Sequence, residues 1–543
     1  MKKKNLVKVL AALLGVLMIV SMFSGCGKSG SDANQKIIYN LGAEPDTIDP
    51  AFNEAVDGGN VINAVFEGLT RLDENSKVKP GVAESWDVSD DQLVYTFHLR
   101  KDAKWSDGQP VTAKDFEYAW KRVLNPETAA PYVSQLLYIK NAQAYFEGKA
   151  NVEDLGIEVV DDYTLKVTLE APTPYFLELC AFATLMPVRK DIVEANKDTW
   201  ATKPETYIGN GPFVLKTWSH NDAMEFEKNK NYWDEKNVKL TSMTWVMVVE
   251  ASSALVSYEK GEIDFFEAPP ASDMERLKNS GDLQTFPYLG TYYIMFNTKK
   301  APFDNPKVRR ALALAFSRQP IIDAALKGGQ KPATAFVPYG IYDADGTTEF
   351  RVKGGDFYPA EGNVEEAKKL LAEAGYPDGK GFPEVTYLYN TSEAHKKVAE
   401  AIQDMWKKNL GINVKLANQE WKVFQNTRKA GDYQIARGGW IGDYMDPMTF
   451  IDLFLSKSDL NDPKYNNPVY DDYVAKAKKE ANKETRMQYL HEAEKTLMTD
   501  MPIAPIYFYT NNVCIKPYVK GVIKTPMGNV YFDRVYIDES LKK

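Results

Sequence analysis

The chain has 543 residues, 44% hydrophobic and 12% aromatic, with a formal net charge of −9. That composition is globular rather than disordered, and its acidic balance argues against a nucleic-acid-binding surface. The four histidines, His98, His220, His395 and His491, lack His-x-x-x-His or Cys-x-x-Cys neighbours, so no metal site or cofactor is expected.

Lys2, Lys3, Lys4 and Lys8 form a basic head, an apolar run covers 9–23, and Ser24-Gly25-Cys26 follows. This is the layout of a secretory signal, and the run is short for a membrane-spanning helix. A cysteine directly after small residues resembles a bacterial lipoprotein box, so residues 1–25 read as a signal peptide and Cys26 as a lipidation site, carrying palmitate. Cleavage there removes four lysines and no acid, leaving a mature charge of about −13. Residues 26–35 read as a flexible tether.

The mature chain exceeds what one hydrophobic core usually spans, so two or three domains are expected. Val94–Leu99 alternates Tyr95, Phe97 and Leu99 on one face, the period of a half-buried strand. Thr112 opens a helix, with Asp115 three residues on and Phe116, Ala119, Trp120 and Val123 at helical spacing. A further strand is expected over 163–169, closed by Pro172 and Pro174. Asn363 caps a helix through Ala367, Leu370 and Leu371. A helix over 393–410, then Gly411, then a strand over 413–416 reads as an αβ unit. Residues 484–498 read as helix, and 503–509 and 530–537 as strands. Cys180 and Cys514 read as core thiols, although their spacing permits a disulfide.

Residues 436–447, Ala-Arg-Gly-Gly-Trp-Ile-Gly-Asp-Tyr-Met-Asp-Pro, concentrate opposite charges in a glycine-rich, aromatic-flanked segment. Read alone, this is either a flexible loop built to hold a small zwitterion or an ordinary turn with a helix-capping Asp. Arg437 supplies a forked cation, Asp443 a carboxylate, Trp440 a flat wall, and Gly439 room for a close backbone approach.

Ordered segments along the chain then point to a family. They are Glu-Pro-Asp-Thr-Ile-Asp-Pro at 44–50, Val-Phe-Glu-Gly-Leu at 65–69, Val-Ala-Glu-Ser-Trp at 82–86, the Tyr95 to Gly108 stretch, Asn-Gly-Pro-Phe at 210–213, and Gly-Glu-Ile-Asp at 261–264. Tyr292-Tyr293, Ala-Pro-Phe at 301–303, Val-Arg-Arg-Ala-Leu at 308–312, His-Lys-Lys at 395–397 and Asn-Gln-Glu-Trp-Lys at 418–422 complete the set. Together they resemble the family-5 extracellular solute-binding proteins of the peptide and nickel ABC importers, in particular their oligopeptide-binding branch.

The resemblance implies a mixed α/β, type II periplasmic-binding-protein-like fold: two lobes plus an extra inserted domain around a hinged cleft. Domain I would comprise 36–66, 188–289 and 511–543, domain II 67–187, and domain III 290–510. It also implies a non-enzymatic role, capturing short peptides through main-chain hydrogen bonds and both charged termini. Asp443 takes the position that pairs with the ligand's α-ammonium. Arg437, Arg428 and His395 take those of cations serving carboxylates at different depths, Arg437 for short ligands provided that Gly438 and Gly439 bend the chain back. Tyr132, Tyr293, Trp440 and the segment Glu54, Ala55 and Val56 match lining positions, the last two acting through backbone groups. A monomer is implied, lipid-anchored to the outside of the cell membrane and passing peptides to membrane permease and ATPase subunits.

Two departures stand out. Gly290 and Ile441 occupy the places of a cysteine pair in an enterobacterial member, and 265–270, Phe-Phe-Glu-Ala-Pro-Pro, differ enough to reshape a pocket. Alternatives are the same family with another ligand, such as a signalling peptide, nickel chelate, haem or chito-oligosaccharide, and a secreted hydrolase pairing Asp443 with Asp446.

Overall fold

The computed structural model describes residues 35–542. The leader, Cys26 and nearly all of the tether lie outside them.

Three sheets organise the described chain. In the first, seven strands follow the spatial order Leu283–Phe286, Asn511–Ile515, Phe265–Glu267, Lys36–Asn40, Ser242–Val246, Ala223–Lys228 and Phe213–Ser219. Lys36–Asn40 runs parallel to both neighbours, and its Tyr39 packs edge-on against Trp245 at 5.2 Å and against Phe265 at 4.8 Å. Aromatic packing of this kind joins segments hundreds of residues apart into one core.

The second sheet has six strands, ordered Lys331–Pro332, Ile503–Phe508, Gly290–Phe296, Ile435–Ile441, Val385–Asn390 and Val414–Gln419. Gly290–Phe296 is buried at every position, as its apolar run requires between two antiparallel neighbours. Val385–Asn390 and Val414–Gln419 are parallel and linked by the helix Glu393–Leu410, so the expected αβ unit is a βαβ crossover. Gly411, at φ 70°, ends that helix in the left-handed conformation that glycine adopts freely.

The third sheet is antiparallel, with spatial order Ala83–Val88, Val94–Leu99, Thr164–Thr168 and Ile157–Asp161. Tyr95, Phe97 and Leu99 are buried while their neighbours are half-exposed, matching the alternation in the sequence. Beside this sheet lies helix Ala113–Leu124, whose capping box closes when the Thr112 N–H donates to Asp115 Oδ2 at 2.7 Å.

Two of the recognised segments owe their acids to tertiary structure. Asp49 accepts both Arg122 guanidinium nitrogens, at 2.8 and 2.6 Å, and the Trp200 indole N–H at 2.8 Å. Glu67 accepts from Trp233 Nε1 at 2.6 Å and from the Tyr232 hydroxyl.

The structure corrects two expectations of secondary structure. Residues 530–537 are not one strand: Val530–Tyr531 and Tyr536–Ile537 belong to separate two-stranded ribbons. The break holds Asp533, which is buried in an ion pair with Arg71. An uninterrupted strand would fix its side chain to an alternating face instead. Residues 436–447 are likewise not a loop throughout, because Ile435–Ile441 is a strand inside the second sheet. Cys180 and Cys514 are both buried, free thiols.

Candidate functional site

Strand Ile435–Ile441 pairs along its whole length with Gly290–Phe296, from Gly290 opposite Ile441 to Phe296 opposite Ile435. On its other side Val385–Asn390 covers only Ile435 and Ala436. Residues 437–441 therefore present an open strand edge, and Arg437, Gly439, Trp440 and Ile441 line a cavity of about 340 Å³ beside it. An open edge in a cavity is a template for an extended chain, which satisfies the free N–H and C=O groups.

The glycines serve this strand differently from expectation. Gly438 and Gly439 do not bend the chain; they sit in unbroken register opposite Tyr293 and Tyr292. A Cβ at Gly438 would overlap the Tyr293 ring, and one at Gly439 the Tyr509 hydroxyl. Glycine is needed because aromatic side chains lie across the strand. Gly290 and Ile441, in the places of the relative's cysteines, are indeed cross-strand partners.

Past Ile441 the chain turns, and Asp443 is set by its own surroundings: its N–H donates to Thr449 Oγ1 at 2.8 Å. Its carboxylate accepts from Gln135 Nε2 at 3.1 Å, Tyr132 Oη at 3.3 Å and Thr449 Oγ1 at 3.4 Å. Among the described residues no cation pairs with it. Burial, then the nearby Asp452, push its pKa well above the usual carboxylate range, against the hydrogen bonds from Tyr132 and Thr449. The arrangement is a desolvated carboxylate with hydrogen-bond donors but no counterion among the described residues.

The same turn also joins the second sheet to the segment 175–178. Tyr444 stacks on Tyr175 with ring centroids 4.1 Å apart, and the Met445 N–H donates to Glu178 Oε2 at 2.8 Å. Burial raises the Glu178 carboxyl to about 7, the Met445 N–H opposes that rise, and Asp446 adds to it. Asp446 itself is held by Arg486 through two 2.8 Å bonds, committed to an ion pair of its own.

The three expected cations differ. Arg437 donates to Tyr509 Oη at 3.1 Å and lies 5.2 Å from the Tyr292 ring centroid, and among the described residues it has no carboxylate partner. Arg428 is already paired, its Nε 2.6 Å from Asp462 Oδ2. His395 is not a cation at neutral pH: burial, then the charge of Arg437, hold its pKa well below the ordinary imidazole value. It lies in a neighbouring chamber of about 430 Å³, and its Nδ1 has no hydrogen-bond partner among the described residues.

Ten of the eleven expected ligand-binding positions line the first cavity: Asp443, Arg437, Trp440, Gly439, Arg428, Tyr132, Glu54, Ala55, Val56 and Tyr293. Only His395 lies apart, in the second chamber. Glu54 does not offer a free carboxylate, since Lys429 Nζ stands 3.0 Å from its Oε1. Ala55 caps the helix Val56–Val65, and its carbonyl accepts from the Gly59 N–H and from Asn53 Nδ2. Sequence reasoning missed Gln135, Tyr509 and Asp57. The first two are ordinary polar residues with no local signal, whereas Asp57, directly after the recognised Glu54-Ala55-Val56, was within reach of it. The segment 265–270 contributes Glu267 to Pro270 to the second chamber, where the sequence departure pointed.

Residues 77–462 match the family described as bacterial extracellular solute-binding proteins, family 5 middle. The chain belongs to that family. It is 38% identical to the oligopeptide-binding protein OppA of Bacillus subtilis over 99% of this chain and 100% of that one. The crystal structure of Haemophilus influenzae OppA in complex with RPPGFSPFR superposes with a TM-score of 0.87 at 41% identity, covering 93% and 99% of the two chains. These likenesses establish the type II periplasmic-binding-protein-like fold. An unliganded open form of the murein tripeptide-binding protein MppA, at 39% identity over 93% and 98% of the chains, reaches only 0.62. At nearly equal identity, the difference groups this family-5 structure with the peptide-complexed form and not with the open one.

Proposed function

We propose that this family-5 protein captures short oligopeptides for an ABC importer, binding them as an added strand and clamping both charged termini. The observation that carries this reading is the pairing of two unsatisfied opposite charges with an open strand edge in one cavity. Among the described residues Asp443 has no cation and Arg437 no carboxylate, and the open edge 438–441 lies between them. A peptide supplies the ammonium, the carboxylate and the backbone groups together, and recognises no particular side chain in doing so.

In this reading domain I is 36–66, 188–289 and 511–543, domain II 67–187 and domain III 290–510, closing around the ligand by hinge motion. Lys429 would help hold the closed state, reaching Glu54 at 3.0 Å and Asp46 at 3.6 Å. The protein acts as a monomer anchored outside the cell membrane through lipidated Cys26, and hands peptide to permease and ATPase subunits without cleaving it.

Native mass spectrometry of protein purified from its own cells, with sequencing of what is released, tests the assignment. Unmodified short peptides of mixed sequence are expected. A single chelate, haem or sugar would assign the protein to another ligand class of its family, and cleaved products turned over repeatedly would make it a hydrolase.

A further inference from the structure

The charges lining the first cavity do not balance for a simple zwitterion. Its acids are Glu54, Asp57, Asp443 and Asp462, and its bases Arg428 and Arg437. Glu54 is neutralised by Lys429 and Asp462 by Arg428. Asp443, Asp57 and Arg437 are left over. The ligand's ammonium and carboxylate account for Asp443 and Arg437, and one negative charge remains.

Asp57 occupies a distinctive place. With Val56, Tyr288 and Tyr509 it lines both the first cavity and the neighbouring chamber, so it stands at their junction. Its hydrogen bond of ordinary geometry is local, to the Gly58 N–H at 2.8 Å. The Trp421 indole faces the same carboxylate, but its N–H forms no hydrogen bond of ordinary geometry. Burial raises the Asp57 pKa to about 6, opposed first by the Gly58 N–H. An Asp in the first turn of a helix normally favours the helix dipole from an exposed position, and a desolvated one gains nothing further by burial.

In the second chamber the other acids are already engaged. Glu267 pairs with Lys524 at 2.8 Å, Glu393 accepts from the Ser252 hydroxyl, and Lys397, the base lining this chamber, forms no ion pair with Asp57. Asp57 thus offers a carboxylate at the junction with no ion-pair partner among the described residues, near the Trp421 and Tyr288 rings, whose apolar surface suits the aliphatic stem of a long cationic side chain.

We propose that Asp57 is a side-chain subsite that selects peptides carrying a lysine or arginine at the residue lying over the junction of the two chambers. The proposal rests on the reading that the cavity holds a peptide with its termini at Asp443 and Arg437.

The test is a calorimetric scan of the full protein with tetra-alanine, its four single-lysine derivatives, and four matched derivatives bearing norleucine, which keeps the stem without the charge. One lysine position is expected to bind about tenfold more tightly than norleucine at the same position. In Asp57→Asn, checked for folding by thermal unfolding, that ratio should fall below about twofold. Because the readout is a ratio within each variant, a general change in affinity cancels. No lysine advantage at any position, or an advantage retained in Asp57→Asn, overturns the subsite. If tetra-alanine and all eight derivatives fail to bind, the peptide reading itself falls, and the subsite with it.

Discussion

The two ends of the cavity solve the same problem differently. At one end a single carboxylate, Asp443, is held by Gln135, Tyr132 and Thr449 and faces no cation among the described residues. At the other, Arg437 has no acid among the described residues, Arg428 is committed to Asp462, and burial holds His395 below the ordinary imidazole range. In the proposed reading the amino end of a ligand is fixed at one point, while at the carboxylate end Arg437, unpaired among the described residues, is backed by groups that must first exchange partners or act as neutral donors. Since each added residue moves an extended chain's end by about 3.3 Å, this asymmetry tolerates length variation at the carboxylate end alone.

Breaking the fixed end should have the largest effect. Asp443→Asn is expected to cost roughly 3–5 kcal/mol of peptide binding, because it leaves a buried ammonium unpaired. Thermal unfolding without ligand should show no loss of stability. The sign follows from the raised pKa: a carboxyl harder to ionise in the folded state than in the unfolded one costs stability as pH rises, and Asn removes that cost. A lower melting temperature in the variant would contradict the desolvated-carboxylate account.

The flexible end should respond less. Arg437→Met is expected to weaken short peptides by roughly 1.5–3 kcal/mol, and longer ones less, since their carboxylates lie beyond it. Calorimetry with di- to pentapeptides measures this, and an equal loss at every length would remove the asymmetry. Gly438→Ala, which drives a Cβ into the Tyr293 ring, should lower unfolding stability by roughly 1–3 kcal/mol.

The smallest effect concerns the seam. Burial raises Glu178 from 4.5 to about 7 in this arrangement, so where opening returns it to the ordinary value, closure grows costlier as pH rises from about 4.5 to 7 and no further above that. Glu178→Gln should bind peptide at least roughly tenfold more tightly than the parent at pH 8 and about equally at pH 4. Parallel pH profiles would show that the carboxylate does not sense closure.

The sequence made some of this legible and concealed the rest for physical reasons. Alternation in Val94–Leu99 and the Thr112–Asp115 cap are local, and both appear as expected. Asp443 and Arg437 stood out because opposite charges among glycines are uncommon. Two local readings failed because neighbours far along the chain decide them. Gly438 reads as a bend until Tyr293 is seen above it, and the 530–537 strand breaks where Asp533 turns to meet Arg71. Similarly, a histidine's charge depends on burial and on Arg437, neither of which shows in its sequence neighbours.

The claim that Asp443 waits for a free amine is tested most directly by measuring the affinity of one tripeptide with its amino terminus free and acetylated. A loss of at least about a hundredfold on acetylation in the parent, and little difference between the two ligands in Asp443→Asn, is the expected result. Equal binding of the two forms by the parent protein would contradict it.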